Sequence, residues 1–152
     1  MRNNLIRKLQ IFIKYNGFNN VNKVENSILK QICVGKGIDI GCGHRKISDN
    51  CIGIDIIGKN EMGKFGCEKD KKSIADIKAL GDNLPFKNNE LDFIVAKHNL
   101  EHYINPDKTV KEWKRVLKKS GKLGVIVPDD RYVNTLSLDK SHCAVFNPFL
   151  LA

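Results

Sequence analysis

The sequence predicts an α/β fold built on an open, doubly wound parallel sheet. Three observations lead there. Two β-branched runs, Gly37–Ile40 and Cys51–Ile56, flank a glycine-rich turn, Gly41-Cys42-Gly43. An acid, Asp55, stands near the end of the second run, where it can accept both hydroxyls of a ribose. A third apolar run, Leu91–Ala96, reads as a strand buried on both faces, and a helix, a glycine turn and another strand follow it.

Bulk properties narrow the class. A chain of 152 residues with 41% hydrophobic content makes one globular domain and is not a disordered chain. The organisation expected is an N-terminal helical segment, 1–32, ahead of a core domain, 33–152. No apolar run approaches the ~18 residues that span a bilayer. Arg7, Lys8, Gln10 and Lys14 interrupt any secretory leader. The five cysteines show no C-x-x-C spacing, which argues against a zinc ribbon, and their odd number suggests reduced thiols and a cytoplasmic location. The formal charge of +9 would suit nucleic acid, but the lysines are scattered and not interleaved with aromatics. A small-molecule substrate is the partner expected.

In chain order, Leu5, Ile6, Leu9, Phe12 and Ile13 lie at helical spacing. A second helix is expected over Val21–Ile32, after a break at Gly17 and Asn19-Asn20. This region reads either as a lid or membrane-surface helix, or as a helix packed on the sheet edge. After the first strand, Gly41 and Gly43 suit positive φ or close backbone approach to a ligand. A nicotinamide fingerprint is not met. Lys46 occupies the third glycine position, and Asp55 lies 14 residues past Gly41 where ~20 is usual. Nine residues separate Gly41 from Cys51, fewer than the dozen a parallel crossover normally takes, so a truncated helix or a loop is expected there.

Residues 59–72 read as a polar loop, and a short third strand is placed at Ser73–Ile77, with Asp76 at its end. Asn88-Asn89 make a turn before Leu91–Ala96. His98 then follows at the carboxyl end of the strand, where ligands of such sheets bind. His98-Asn99-Leu100-Glu101-His102 also spells the H-x-x-E-H pattern of inverted zinc peptidases. A strand precedes it and Asn105-Pro106 breaks the helix within a turn, so no metal is expected; Glu101 and His102 read as capping and packing the helix start. Pro106-Asp107 open a helix with the apolar stripe Val110, Trp113, Val116 and Leu117. Lys118-Lys119 are placed at its end, Gly121 after it, and Lys122–Val127 as the fifth strand.

GIDIGCGHRK, CIGIDI, LPF, HNLEH and EWKRVLKKSGKLGVIVPD together resemble class I S-adenosylmethionine-dependent methyltransferases, in particular the type-11-like group with a short first crossover. The resemblance covers roughly residues 35–149. It implies a Rossmann-like sheet in the order 3-2-1-4-5, S-adenosylmethionine as cofactor, and methyl transfer to an acceptor that the sequence does not specify. Gly41, Cys42 and Gly43 would approach the methionine moiety, Asp39 would anchor that turn or meet the amino group, and Asp55 would take the ribose. Asp76 or Asp82 would meet adenine, with Asp76 preferred for its place at a strand end. His98 would face the transferred methyl group as a pocket base. His142, in the D-x-x-H-x-x-x-F stretch from Asp139 to Phe146, would line the acceptor site or simply pack. The chain resembles the family core without its final strands, which leaves the fifth strand as an edge open to self-association. A non-catalytic cofactor-binding remnant is the alternative function.

Overall fold

A computed structural model describes residues 18–63, 69–132 and 134–147. The helix expected around residues 5–13 lies outside them. Helix α1 (Phe18–Lys30) leads into β1 (Gly37–Ile40), β2 (Cys51–Asp55), β3 (Ile77–Lys78) and β4 (Leu91–Lys97). A 3-10 turn (Leu100–His102), α2 (Pro106–Val116), β5 (Leu117–Ile126) and a short α3 (Thr135–Leu138) complete the order. The five strands form one sheet, β3-β2-β1-β4-β5, and all pairings are parallel. This is the order that the family resemblance implied.

Alternation along β4 divides the core. Phe93 and Val95 join Leu29, Cys33, Ile47 and Cys51 on one side, beneath α1 and the first crossover. Ile94 and Ala96 join Ile38, Ile40, Trp113, Val116 and Phe146 on the other, beneath α2 and the tail. Gly37 makes room for the Phe93 ring, which lies 2.4 Å from where a Cβ would stand. Gly124 does the same for α1: a Cβ there would meet Ile32 at 2.7 Å and Leu29 at 2.8 Å. Helix α1 therefore packs on the face of the sheet over β4 and β5, the latter the strand at one edge of the described order. Among the described residues no helix is long and apolar enough to cross a membrane.

Several boundaries differ from the sequence reading. Helix α1 begins at Phe18 and runs through Asn19-Asn20, the expected break. Asparagines cost little inside a helix when tertiary contacts hold it, and here Asn22 and Asn26 both accept from Lys97 Nζ, at 3.2 and 2.7 Å. The third strand is only Ile77–Lys78, so Asp76 precedes it and does not close it. Helix α2 stops at Val116 instead of running to Gly121. Leu117 already pairs with Leu91 and Lys122 pairs with Phe93, so Lys118-Lys119-Ser120-Gly121 bulge out of β5. The bulge is fixed by Lys118 Nζ on Asp92 at 2.7 Å, a long-range contact that outweighs the local signal for a helix end. The first crossover contains no helix at all, as its length required. The turn before β4 is where it was expected, with Asn89 at φ 54°.

Candidate functional site

The site is built on the carboxyl ends of β1, β2 and β4, where the parallel sheet leaves its strand tips open. Gly41 and Gly43 both take positive φ, 73° and 51°, which lets the chain reverse at once after β1. The Gly41 and Cys42 amides donate to the Ile54 carbonyl at 2.8 and 3.2 Å, laying the turn across β2. Gly53 permits this, since a Cβ there would stand 2.8 Å from Cys42 Sγ. Burial pushes the Cys42 thiol up, so the turn holds a neutral sulfur and no thiolate nucleophile.

Two aspartates hold the turn in place. Asp55, at the tip of β2, accepts from the Gly43 amide (2.9 Å) through one oxygen and from the Ile57 amide (2.9 Å) through the other. Each oxygen keeps a lone pair, and the carboxylate faces a cavity of about 30 Å³ that Gly63, Lys71 and Ser73 also line. Asp39, 2% exposed, accepts from the Ile47 amide at 2.6 Å and ties the far end of the crossover to β1. Burial raises its pKa from 3.8 to about 7. The Ile47 amide, Lys97 and Lys46 pull the other way, and Asp55 adds to the rise.

A raised carboxyl pKa means that folding takes up a proton between pH ~4 and ~7. The stability this group contributes is full below pH ~4 and is lost as pH rises through ~7. At ~1.4 kcal/mol per pKa unit the change is a few kcal/mol. Asp39→Asn, which keeps an acceptor for Ile47, is expected to remove that slope. Thermal melts from pH 5 to 8 would check it, and parallel slopes for the two proteins would refute the assignment.

The structure places the remaining sequence candidates unevenly. Asp76 lies at the entry of β3, on the side away from the strand tips, and its Oδ2 is taken by the Gly53 amide (2.8 Å) and Lys46 Nζ (3.0 Å). These partners hold its carboxyl below the usual range. Asp82 follows β3 by four residues and is half-buried, with Lys108 Nζ at 3.8 Å and Tyr103 nearby. His98 sits just past β4 in a left-handed conformation, φ 50°. Its Nε2 lies 3.4 Å from Glu25 and its Nδ1 3.7 Å from Glu101. Desolvation works against the imidazolium, but Glu101 and Glu25 outweigh it and raise the pKa to about 9. The two carboxylates thus bias His98 toward its protonated form, although its side chain is 44% exposed.

Glu25 was invisible to sequence reasoning. It is 7% exposed on α1, and nothing in its local sequence marks it for a site on β4. Glu101, expected as a capping group, is instead 1% exposed, and neither of its oxygens accepts a hydrogen bond. His142 packs against His102, with ring centroids 4.8 Å apart. Phe146, the other end of the tail pattern, is buried in the core beside Trp113 and Val116.

A parallel sheet in the order 3-2-1-4-5, with a positive-φ glycine turn after β1 and an acid at the tip of β2, defines the class I S-adenosylmethionine-dependent methyltransferase fold. Residues 35–125 match the type-11 family described as a methyltransferase domain, and the chain belongs to that family. Among its sequence relatives, the uncharacterized protein MJ1123 of Methanocaldococcus jannaschii is 35% identical over 79% of this chain and 58% of its own length. The uncharacterized methyltransferase YcgJ of Bacillus subtilis is 28% identical over 69% of this chain and 48% of its own. The crystal structure of YcgJ superposes with a TM-score of 0.65 at 22% identity, covering 86% of this chain and 64% of that one. A chain from the Haloferax volcanii complex of the Trm112 methyltransferase activator with a methyltransferase superposes with a TM-score of 0.63 at 13% identity, covering 87% of this chain and 66% of that one. The chain spans only about half the length of the sequence relatives it matches.

Proposed function

We propose that the chain binds S-adenosylmethionine at the tips of β1, β2 and β4 and serves methyl transfer to a small-molecule acceptor. The observation that carries this reading is the Asp55 carboxylate, already fixed by the Gly43 and Ile57 amides and still holding acceptor capacity toward the cavity. Ribose hydroxyls would donate to it, with Gly63 and Lys71 drawing back to widen the space. Asn99 supports the methionine end. It stands directly over Gly41, 2.4 Å from where a Cβ would be, and its Oδ1 is buried without a partner. That orphaned acceptor suits an ammonium group. Ile56 and Leu80, 54% and 56% exposed immediately beyond β2 and β3, offer apolar faces to adenine. Asp82 lies on that same side, so we assign it, and not Asp76, as the polar neighbour of the base.

The bound cofactor would supply a sulfonium-activated methyl group, and the protein's part is to hold donor and acceptor in line. His98, with both ring nitrogens against carboxylates, acts as a fixed positive wall beside the Gly41 turn, and not as the base the sequence suggested. The second reading is a module that binds the cofactor without turning it over.

Calorimetric titration with S-adenosylmethionine tests the shared part of both readings. Micromolar, one-to-one binding is expected, and a folded chain that shows no heat at millimolar cofactor would refute it. Formation of S-adenosylhomocysteine across a panel of oxygen, nitrogen and carbon acceptors then separates transfer from binding alone.

A further inference from the structure

The geometry points to a divalent transition-metal site, suited to zinc, made by Glu101, His102 and His142. One ligand atom from each of these residues lies within 4.8 Å of the others. Glu101 and His102 come from the 3-10 turn after β4, and His142 comes from the tail. The two segments are already joined, because the Cys143 and Ala144 amides donate to the Glu101 carbonyl at 2.7 and 3.1 Å.

The orientation of the rings supports ligation more than plain packing does. His102 turns Nδ1 toward the Ser141 carbonyl at 3.2 Å and the Ser141 hydroxyl at 3.1 Å. His142 turns Nδ1 toward the Thr135 carbonyl at 3.0 Å. A proton on Nδ1 that donates to a carbonyl leaves the lone pair on Nε2, the tautomer in which imidazole binds a metal. The Ser141 hydroxyl itself donates to Asp139 Oδ1 at 2.6 Å, so an outer carboxylate steadies this arrangement. Glu101 brings to the same cluster a carboxylate that is 1% exposed, with both oxygens unpartnered by any hydrogen bond. Its one facing cation is His98, whose Nδ1 lies 3.7 Å away. Two buried carboxylate oxygens that accept no hydrogen bond are free to ligate a cation beside the two imidazoles.

The donor chemistry selects the metal. Two imidazole nitrogens and one carboxylate form the three-ligand set of open zinc sites, with a fourth position left for water or an external ligand. Magnesium and calcium prefer all-oxygen shells and are disfavoured here. The metal would clasp the tail onto the exit of β4. None of the three ligands is a residue assigned to the cofactor, so the site stands whether or not the methyltransferase reading holds.

The test uses the whole chain after chelator treatment. Zinc titration by calorimetry is expected to show one ion per chain with submicromolar affinity, and cobalt is expected to give the visible absorption of a four-coordinate centre. The key variant is His142→Asn, whose amide can still donate to Thr135 while Nε2 is lost. It should weaken zinc binding by roughly 100-fold or more and abolish the zinc-dependent rise in melting temperature, as should His102→Asn. Cys143→Ser, altering the exposed thiol next to His142, should change neither. Absence of stoichiometric binding by the folded wild type would overturn the proposal. So would binding that survives in His142→Asn, or binding that is lost in Cys143→Ser instead.

Discussion

Replacing Asp55 with alanine is expected to reduce S-adenosylmethionine affinity by at least about 100-fold. Two ribose hydroxyls donating to one carboxylate are charge-assisted hydrogen bonds worth roughly 1.5–3 kcal/mol each. Losing both removes about 3–6 kcal/mol of binding energy, and every 1.4 kcal/mol is tenfold. The same substitution strips the Gly43 and Ile57 amides of their acceptor. Gly43 is buried and Ile57 half-buried, and both line the same water-sized cavity, so the folding cost should be about 1–3 kcal/mol. Comparison with Asp55→Asn separates the two effects. The amide keeps one acceptor oxygen, which preserves part of the turn, but it presents an NH₂ where the other oxygen stood. Calorimetry should therefore show a large affinity loss in both variants, and melting should show the smaller stability loss in asparagine. Affinity within threefold of wild type in Asp55→Ala would remove the ribose assignment.

Trp113→Ala should be the most destabilising single change in the domain. The side chain is fully buried under α2, packs edge-on against Tyr103 with centroids 6.5 Å apart, and donates through Nε1 to the Gly81 carbonyl at 2.8 Å. Truncating a buried tryptophan costs about 3–5 kcal/mol in lost burial and cavity formation. Leaving the Gly81 carbonyl unpaired adds about 1–3 kcal/mol. Against a total stability of roughly 5–15 kcal/mol, the variant should lose about half of its stability and unfold at a much lower urea concentration than the wild type. Trp113→Phe keeps most of the ring and removes the donor, so it should cost about 1–3 kcal/mol and remain folded. Urea unfolding of the two variants would check this, and near-equal midpoints for Phe and Ala would show that packing contributes little here.

The parts of the fold that were legible in the sequence are those encoded locally. Glycine-bounded β-branched runs marked β1 and β2, and an uninterrupted apolar run marked β4. Pro106-Asp107 and the apolar stripe Val110, Trp113 and Val116 marked α2, which the structure caps with Asn105, its side chain accepting from the Lys108 amide at 3.0 Å. What was misplaced depends on partners far along the chain. The first turn of β5 forms where Lys118 meets Asp92, and α1 extends back through Asn19-Asn20 while Asn22 and Asn26 further along it grip Lys97. β3 is two residues long because Asp76 spends its amide and carboxylate on Gly53 before pairing with β2 becomes regular.

The candidate site divides in the same way. Asp39, Gly41, Gly43 and Asp55 sit within one short stretch whose spacing carries their geometry, and the structure brings them together around a single turn. Glu25 and His142 reach the exit of β4 from opposite sides of it in the sequence; the D-x-x-H-x-x-x-F pattern marked His142, but no local pattern announced Glu25. His98 shows the limit most plainly. Its position past β4 could be read from the strand before it, but its charge could not, because that is set by a carboxylate on α1 and another on the 3-10 turn.

The notch that Gly124 leaves for Leu29 and Ile32 has a consequence for the order of events on the ribosome. Helix α1 is synthesised before the sheet, yet part of the surface it rests on belongs to β5. Until residues near Gly124 have emerged, α1 can rest on Phe93 and Val95 of β4, but its seat is incomplete and part of its apolar stripe stays exposed to whatever binds nascent chains. Final docking must wait for β5, a non-local closure of the kind that slows folding. A substitution at Gly124 would therefore act chiefly on the yield of newly made protein, by lengthening the interval in which that stripe is unprotected.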